Sequence, residues 1–133
     1  MDSLPVACRI LIVDDAPAVR EALRWALEDA PDFQVIGEAA NGAEATGRAV
    51  ELQPDVVLLD IEMPGNDGYA VTRILKALPD PPLVVFLSVH SDAVSRRRGL
   101  EAGGDGFIEK GIGWPALLAQ IRQAINRAGK PRS

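Results

Sequence analysis

Asp60 ends the apolar run VVLLD, and the stretch MPGNDG then turns the chain abruptly. Asp14 and Asp15 stop an earlier apolar run, CRILIV, while Ser88 follows LVVFL and Lys110 follows GFIE. These side chains could do chemistry together. Carboxylates offer oxygen ligands for a hard divalent cation, or a nucleophile. An ammonium and a hydroxyl can hold the oxygens of an anion. Taken singly, each has a plainer use. An Asp beside a helix start is a cap or a complement to the helix dipole. Lys110 alone is a solvated charge, and Ser88 alone a turn hydroxyl.

The elements that carry these residues decide between the two readings. Apolar runs alternate with segments of helical period along the whole chain. CRILIV is a strand, and Val19, Ala22, Leu23, Ala26, Leu27 and Ala30 mark one face of a helix that Pro31 ends. FQVIGEA is a second strand, and a weaker helix spans Ala43 to Leu52 behind Asn41 and Gly42. DVVLLD is the third strand, with a helix from Gly68 to Leu78 halted by Pro79. LVVFLSV is the fourth, followed by a helix from Ser91 to Ala102; GFIEK is the fifth. Pro115 opens a last helix with the stripe Leu117, Leu118, Ile121, Ala124 and Ile125. Repeated strand-helix units predict a parallel α/β sheet with helices on both faces, because parallel strands need crossovers. In such sheets ligands gather outside the carboxyl ends of the strands. Asp14, Asp15, Asp60, Ser88 and Lys110 all fall at that edge. An inert core is not finished this way.

Composition narrows the classes. A chain of 133 residues fits one domain with a real core. A net charge of −5 argues against direct nucleic-acid binding or attraction to an anionic membrane. Cys8 is the single cysteine, which excludes an intrachain disulfide and a cysteine metal cluster, and it reads as a buried small hydrophobe. The N-terminus lacks a cleavable signal pattern and no apolar run reaches spanning length, so the expected location is the cytoplasm. The tail NRAGKPRS is basic and turn-prone.

The pieces VDDAPAVREAL, GEAANGAEA, PDVVLLDIEMPGNDG, LSVHSD and AGGDGFIEK, in this order, resemble the response-regulator receiver domain of two-component systems. The resemblance covers essentially the whole chain and is nearest to the NarL/LuxR-type branch. It implies a CheY-like, flavodoxin-like doubly wound sheet of five strands in the order 2-1-3-4-5 with five helices. It places the domain at residues 1–126 and a tail or linker start at 127–133. Asp60 becomes the phosphoacceptor. Asp15, with Asp14 behind it, Asp60 and the main-chain carbonyl of Glu62 become the ligands of Mg²⁺, for which Mn²⁺ can substitute. Lys110 and Ser88 become the groups that hold the phosphoryl oxygens, and Ser88 with Phe107 the switch pair, plain core packing being the other reading of Phe107. The Glu62 side chain and His90 border the site and would tune the lifetime of the phosphorylated state. The implied partner is a histidine kinase or phosphotransfer protein, with a homodimer on phosphorylation. The output surface is the fourth helix, fifth strand and fifth helix, acting through a LuxR-type DNA-binding domain or by protein contact in a stand-alone receiver.

Two features depart from the family pattern. Gly111 follows Lys110 where many receivers have proline, and the chain stops where LuxR-linked receivers continue. Met63 reads as packing beside the site. Trp25 lies off its helix's apolar stripe and should face outward. The run Arg96, Arg97 and Arg98 reads as a solvated face, with an ion-pairing dimer contact as the lesser reading. A flavin- or phosphate-binding module would want a glycine- and hydroxyl-rich loop where this chain has VDDAP. A phosphohydrolase using an Asp nucleophile would want a second Asp two residues on, where this chain has Glu62. A phosphorylation-independent scaffold would not need the full set of polar groups. The expected class is a signalling domain and not a metabolic enzyme.

Overall fold

A computed structural model describes residues 7–63, 65, 67–89 and 92–129. The strands are β1 (Cys8–Val13), β2 (Phe33–Ala39), β3 (Val56–Asp60), β4 (Leu83–Ser88) and β5 (Gly106–Glu109). They alternate with α1 (Pro17–Glu28), α2 (Gly42–Leu52), α3 (Gly68–Lys76), α4 (Ala93–Glu101) and α5 (Trp114–Ala128). All strand pairs are parallel and the sheet runs β2-β1-β3-β4-β5, as expected. The strand order reverses at β1 and β3, which leaves a crevice at their carboxyl ends.

Side-chain alternation along each strand builds a core on either face of the sheet. Ile10, Ile12, Val56, Leu58, Val85 and Leu87 point to one side, under Leu23 and Leu27 of α1 and Leu117, Ile121 and Ile125 of α5. Leu11, Val13, Val57, Leu59, Val84 and Phe86 point to the other, under Ala45 and Ala49 of α2 and Tyr69, Val71 and Leu75 of α3. Leu58 and Leu59 have no exposed surface although they face opposite ways. Burying side chains of this kind contributes about 1.5–3 kcal/mol each.

The helices start and stop where local chemistry dictates. The Asn41 side chain accepts from the Glu44 N–H at 2.9 Å, and the Glu44 carboxylate accepts from the Ala40 N–H at 2.8 Å, a reciprocal cap on α2. Asp67 caps α3 by accepting from the N–H groups of Tyr69 and Ala70, and Asp92 caps α4 by accepting from that of Ser95. Proline occupies the first turn of α1 and of α5, and Gly129, with φ 63°, closes α5. At the opposite edge of the sheet from the crevice, the Arg9 guanidinium donates to the carbonyls of Leu52 and Gln53 at the end of α2.

Register brings the strand ends level. Val13 pairs with Leu59, Asp60 with Leu87, and Ser88 with Glu109. The residues just beyond β1 and at the end of β3 therefore share one edge with those that end β4 and β5.

Candidate functional site

Asp14 and Asp60 sit at that edge with almost no exposed surface, and Asp15 stands beside them in solvent. One oxygen from each of these three carboxylates lies within 4.8 Å of the others. Such a concentration of buried negative charge needs compensation. Lys110 supplies part of it: its Nζ lies 3.2 Å from Asp14 Oδ2 and 3.2 Å from Asp60 Oδ1. Backbone donors supply more, since the Ala16 N–H donates to Asp14 Oδ1 and the Glu62 N–H to Asp60 Oδ1, each at 2.9 Å.

The balance of these forces is visible in the ionisation of the pair. Burial pushes the Asp60 carboxyl above the ordinary range; the Glu62 N–H pulls it back, the nearby Asp14 charge adds to the rise, and Lys110 opposes it. For Lys110, burial works against the charge, but Asp60 and Asp14 together outweigh it and hold the ammonium above its usual range. One ammonium faces two buried carboxylates and a third in solvent. The cluster is short of positive charge, and its oxygen donors are of the kind Mg²⁺ prefers, so the residues present fit a hard divalent cation.

The next ring of contacts comes from β4 and the β3-α3 turn. Ser88 is buried, and its hydroxyl donates to Glu62 Oε2. The other Glu62 oxygen, Oε1, accepts from the Val89 N–H at 3.1 Å. The Lys110 N–H donates to the Ser88 carbonyl at 2.7 Å, which fixes where the lysine leaves β5. Beyond it the loop turns through Gly111 and Gly113, with φ of 88° and 91°, a region open to glycine at low cost. Met63 is buried in the core beside the site.

Phe107 is half-buried, its ring 6.0 Å from that of Phe86, which in turn lies 5.8 Å from Tyr69. Arg96 covers the Phe107 ring at 5.1 Å and Arg98 covers Tyr69 at 4.3 Å. All three consecutive arginines are exposed, as helical pattern suggested, and two of them also lie over aromatic rings. Trp25 does face outward, with 71% of its surface exposed. His90 lies outside the described residues.

Residues 10–122 match the family described as the response regulator receiver domain. The chain belongs to that family. Among curated receivers it is 41% identical over 118 residues to the response regulator GacA of Pseudomonas viridiflava, covering 88% of this chain and 53% of that one. It is 40% identical over 124 residues to the transcriptional regulatory protein LiaR of Bacillus subtilis, covering 92% and 56%. The chain thus spans about half the length of these curated relatives. Among solved structures, the receiver domain of the putative response regulator NarL from Mycobacterium tuberculosis superposes with a TM-score of 0.82 at 32% identity, covering 96% of this chain and 100% of that one. The receiver of Thermotoga maritima CheB gives 0.81 at 34% identity, covering 90% and 97%. Receiver domains are signalling modules of two-component systems, whose partners are histidine kinases or phosphotransfer proteins.

Of the residues singled out in the sequence, Asp14, Asp15, Asp60 and Lys110 converge directly, and Ser88 is linked to them through Glu62 and the Lys110 backbone. The double engagement of β4 by the Glu62 carboxylate was not legible, because 26 residues separate Glu62 from Ser88 and no local pattern pairs them.

Proposed function

We propose that this receiver accepts a phosphoryl group on Asp60 from the phosphohistidine of a histidine kinase or phosphotransfer protein. An oxygen of Asp60 forms a bond to phosphorus as the P–N bond breaks, and the departing imidazole keeps the electron pair and takes up a proton. The observation that carries this reading is the placement of Asp60: a carboxylate at the carboxyl end of β3, set between Lys110 and two further aspartates. Asp14, Asp15, Asp60 and the Glu62 carbonyl would hold Mg²⁺ or Mn²⁺, which would offset the repulsion between carboxylate and phosphoryl oxygens. Lys110 follows the developing charge, because phosphoryl transfer depends mainly on positioning and electrostatics. Ser88 donates to a phosphoryl oxygen and Phe107 turns inward as the end of β4 moves. Phosphorylation thereby shifts an existing equilibrium of the α4-β5-α5 face.

The similarity to the transcriptional regulatory protein LiaR favours a transcriptional output; in this reading a LuxR-type DNA-binding domain carries it, with the receiver in the cytoplasm and a homodimer formed on phosphorylation. A second reading has specific support. The protein-glutamate methylesterase of Thermotoga maritima is 37% identical over 128 residues, so the same receiver type can govern an enzymatic domain. A stand-alone receiver acting by protein contact is the remaining form of the proposal.

Intact mass after incubation with phosphoramidate or acetyl phosphate, with and without Mg²⁺, tests the acceptor. A single phosphoryl adduct that requires both Mg²⁺ and Asp60, and is absent from Asp60→Ala, is the expected result. Folded protein without an adduct would instead favour a phosphorylation-independent scaffold.

A further inference from the structure

Glu62 stands immediately after the β3 mouth, two residues beyond Asp60, and its side chain is exposed. It nevertheless uses both carboxylate oxygens on the end of β4, taking the Ser88 hydroxyl on Oε2 and the Val89 N–H on Oε1. Two adjacent donors gathered by one carboxylate form a small anion site, already filled by the protein's own anion. The Ser88 hydroxyl has a single proton to donate. It cannot serve Glu62 and an anion carried on Asp60 at once.

We propose that Glu62 is a built-in competitor for the phosphoryl group: its carboxylate occupies the β4 donors that a phosphoryl anion on Asp60 would use. This rests on the reading of Asp60 as the acceptor and adds a positioning role for the Glu62 side chain. Phosphorylation has to displace the carboxylate into solvent before Ser88 and Val89 can close on the phosphoryl oxygens. Exposure makes that displacement feasible, because the freed carboxylate is rehydrated instead of being left buried. The unmodified receiver is held in its resting form by the same contact, so Glu62 sets how much of the switch's free energy each phosphoryl group must supply.

Bare repulsion between Glu62 and an incoming anion would act in the same direction, and a double-mutant cycle separates the two causes. The affinity for beryllofluoride, a phosphoryl mimic, is measured at saturating Mg²⁺ by amide NMR on wild type, Glu62→Gln, Glu62→Ala, Ser88→Ala and the Glu62→Ala/Ser88→Ala pair. Glu62→Ala is expected to tighten binding about tenfold, the order expected for one hydrogen bond to a charged group. Glu62→Gln, which keeps one acceptor oxygen, falls between it and wild type. The gain shrinks in the Ser88→Ala background, where the contested donor is missing. An equal gain in both backgrounds, or no gain at all, overturns the proposal. Failure of the wild type to bind beryllofluoride with Mg²⁺ overturns the acceptor reading and this inference with it. Thermal unfolding and the amide spectra of each variant verify that the fold is intact.

Discussion

Glu38 shows how a single side chain ties stability to pH in this protein. Its carboxylate accepts from Arg24 Nε at 2.7 Å and Arg20 Nε at 3.0 Å, joining α1 to β2. Burial works against the Glu38 charge, but the hydrogen bonds and charges of Arg24 and Arg20 outweigh it and hold the carboxyl below the ordinary Glu range. A carboxyl whose folded pKa is depressed stabilises the fold above its unfolded value and loses that contribution as pH falls through the folded one. Glu38→Gln should therefore cost less than about 1 kcal/mol at pH 7, the group being 30% exposed and screened. Denaturant melts of the two proteins should converge as pH falls from the ordinary Glu range, about 4.3, to below the lowered value. A gap that persisted at the acid end would mean that packing, not charge, holds Glu38. At the site the sign is reversed: burial and Asp14 raise Asp60, so its ionised form opposes folding until positive charge arrives.

Among the elements, α4 is the odd member. Gly99 is its single buried residue, and the exposed Val94 and Leu100 leave it little aliphatic grip on the sheet. It is held instead by Arg96 on Phe107 and Arg98 on Tyr69, contacts worth roughly 0.5–1 kcal/mol each at exposed sites. Close approach to the Cδ2–Cε2 edge of the Phe86 ring needs glycine at both 99 and 104. A Cβ on Gly99 would meet Phe86 Cε2 at 2.9 Å, and one on Gly104 would meet it at 2.3 Å and the Gly99 carbonyl oxygen at 2.9 Å. Gly104→Ala is predicted to destabilise the domain by about 1–3 kcal/mol through overpacking. Faster amide exchange confined to α4 and β5 should accompany the loss. A neutral effect on unfolding would show that Phe86 has room to give. An element held this loosely is suited to move, and α4 flanks the proposed output face.

For the whole molecule, the carboxylate cluster couples metal binding to the stability of the sheet. A cation that binds the folded chain and not the unfolded one stabilises by RT ln(1 + [L]/Kd), about 2.7 kcal/mol at a hundredfold excess over Kd. Adding Mg²⁺ should raise Tm in wild type, and chelation should reverse the rise. Asp15→Asn should remove most of the response while leaving the metal-free Tm nearly unchanged, because Asp15 is exposed and belongs to neither core cluster. An undiminished Mg²⁺ response in Asp15→Asn would place the cation elsewhere. Among the described residues no helix is long and apolar enough to cross a membrane.

The sequence alone determined the alternation of strands and helices, because apolar runs, caps and prolines act over a few residues and carry their own period. It also determined that Asp14, Asp15, Asp60, Ser88 and Lys110 would share an edge, since parallel strands joined by crossovers must all end on the same side. Tertiary structure decided the contacts made by long side chains whose partners are distant in the chain. Lys110 reaches Asp14 across 96 residues and divides its charge between two carboxylates. The acidic side chain at Glu62 takes hold of β4, and the exposed Arg96 and Arg98 lie over aromatic rings. Such pairings depend on strand register and on helix docking to within an ångström or so, which no local pattern encodes.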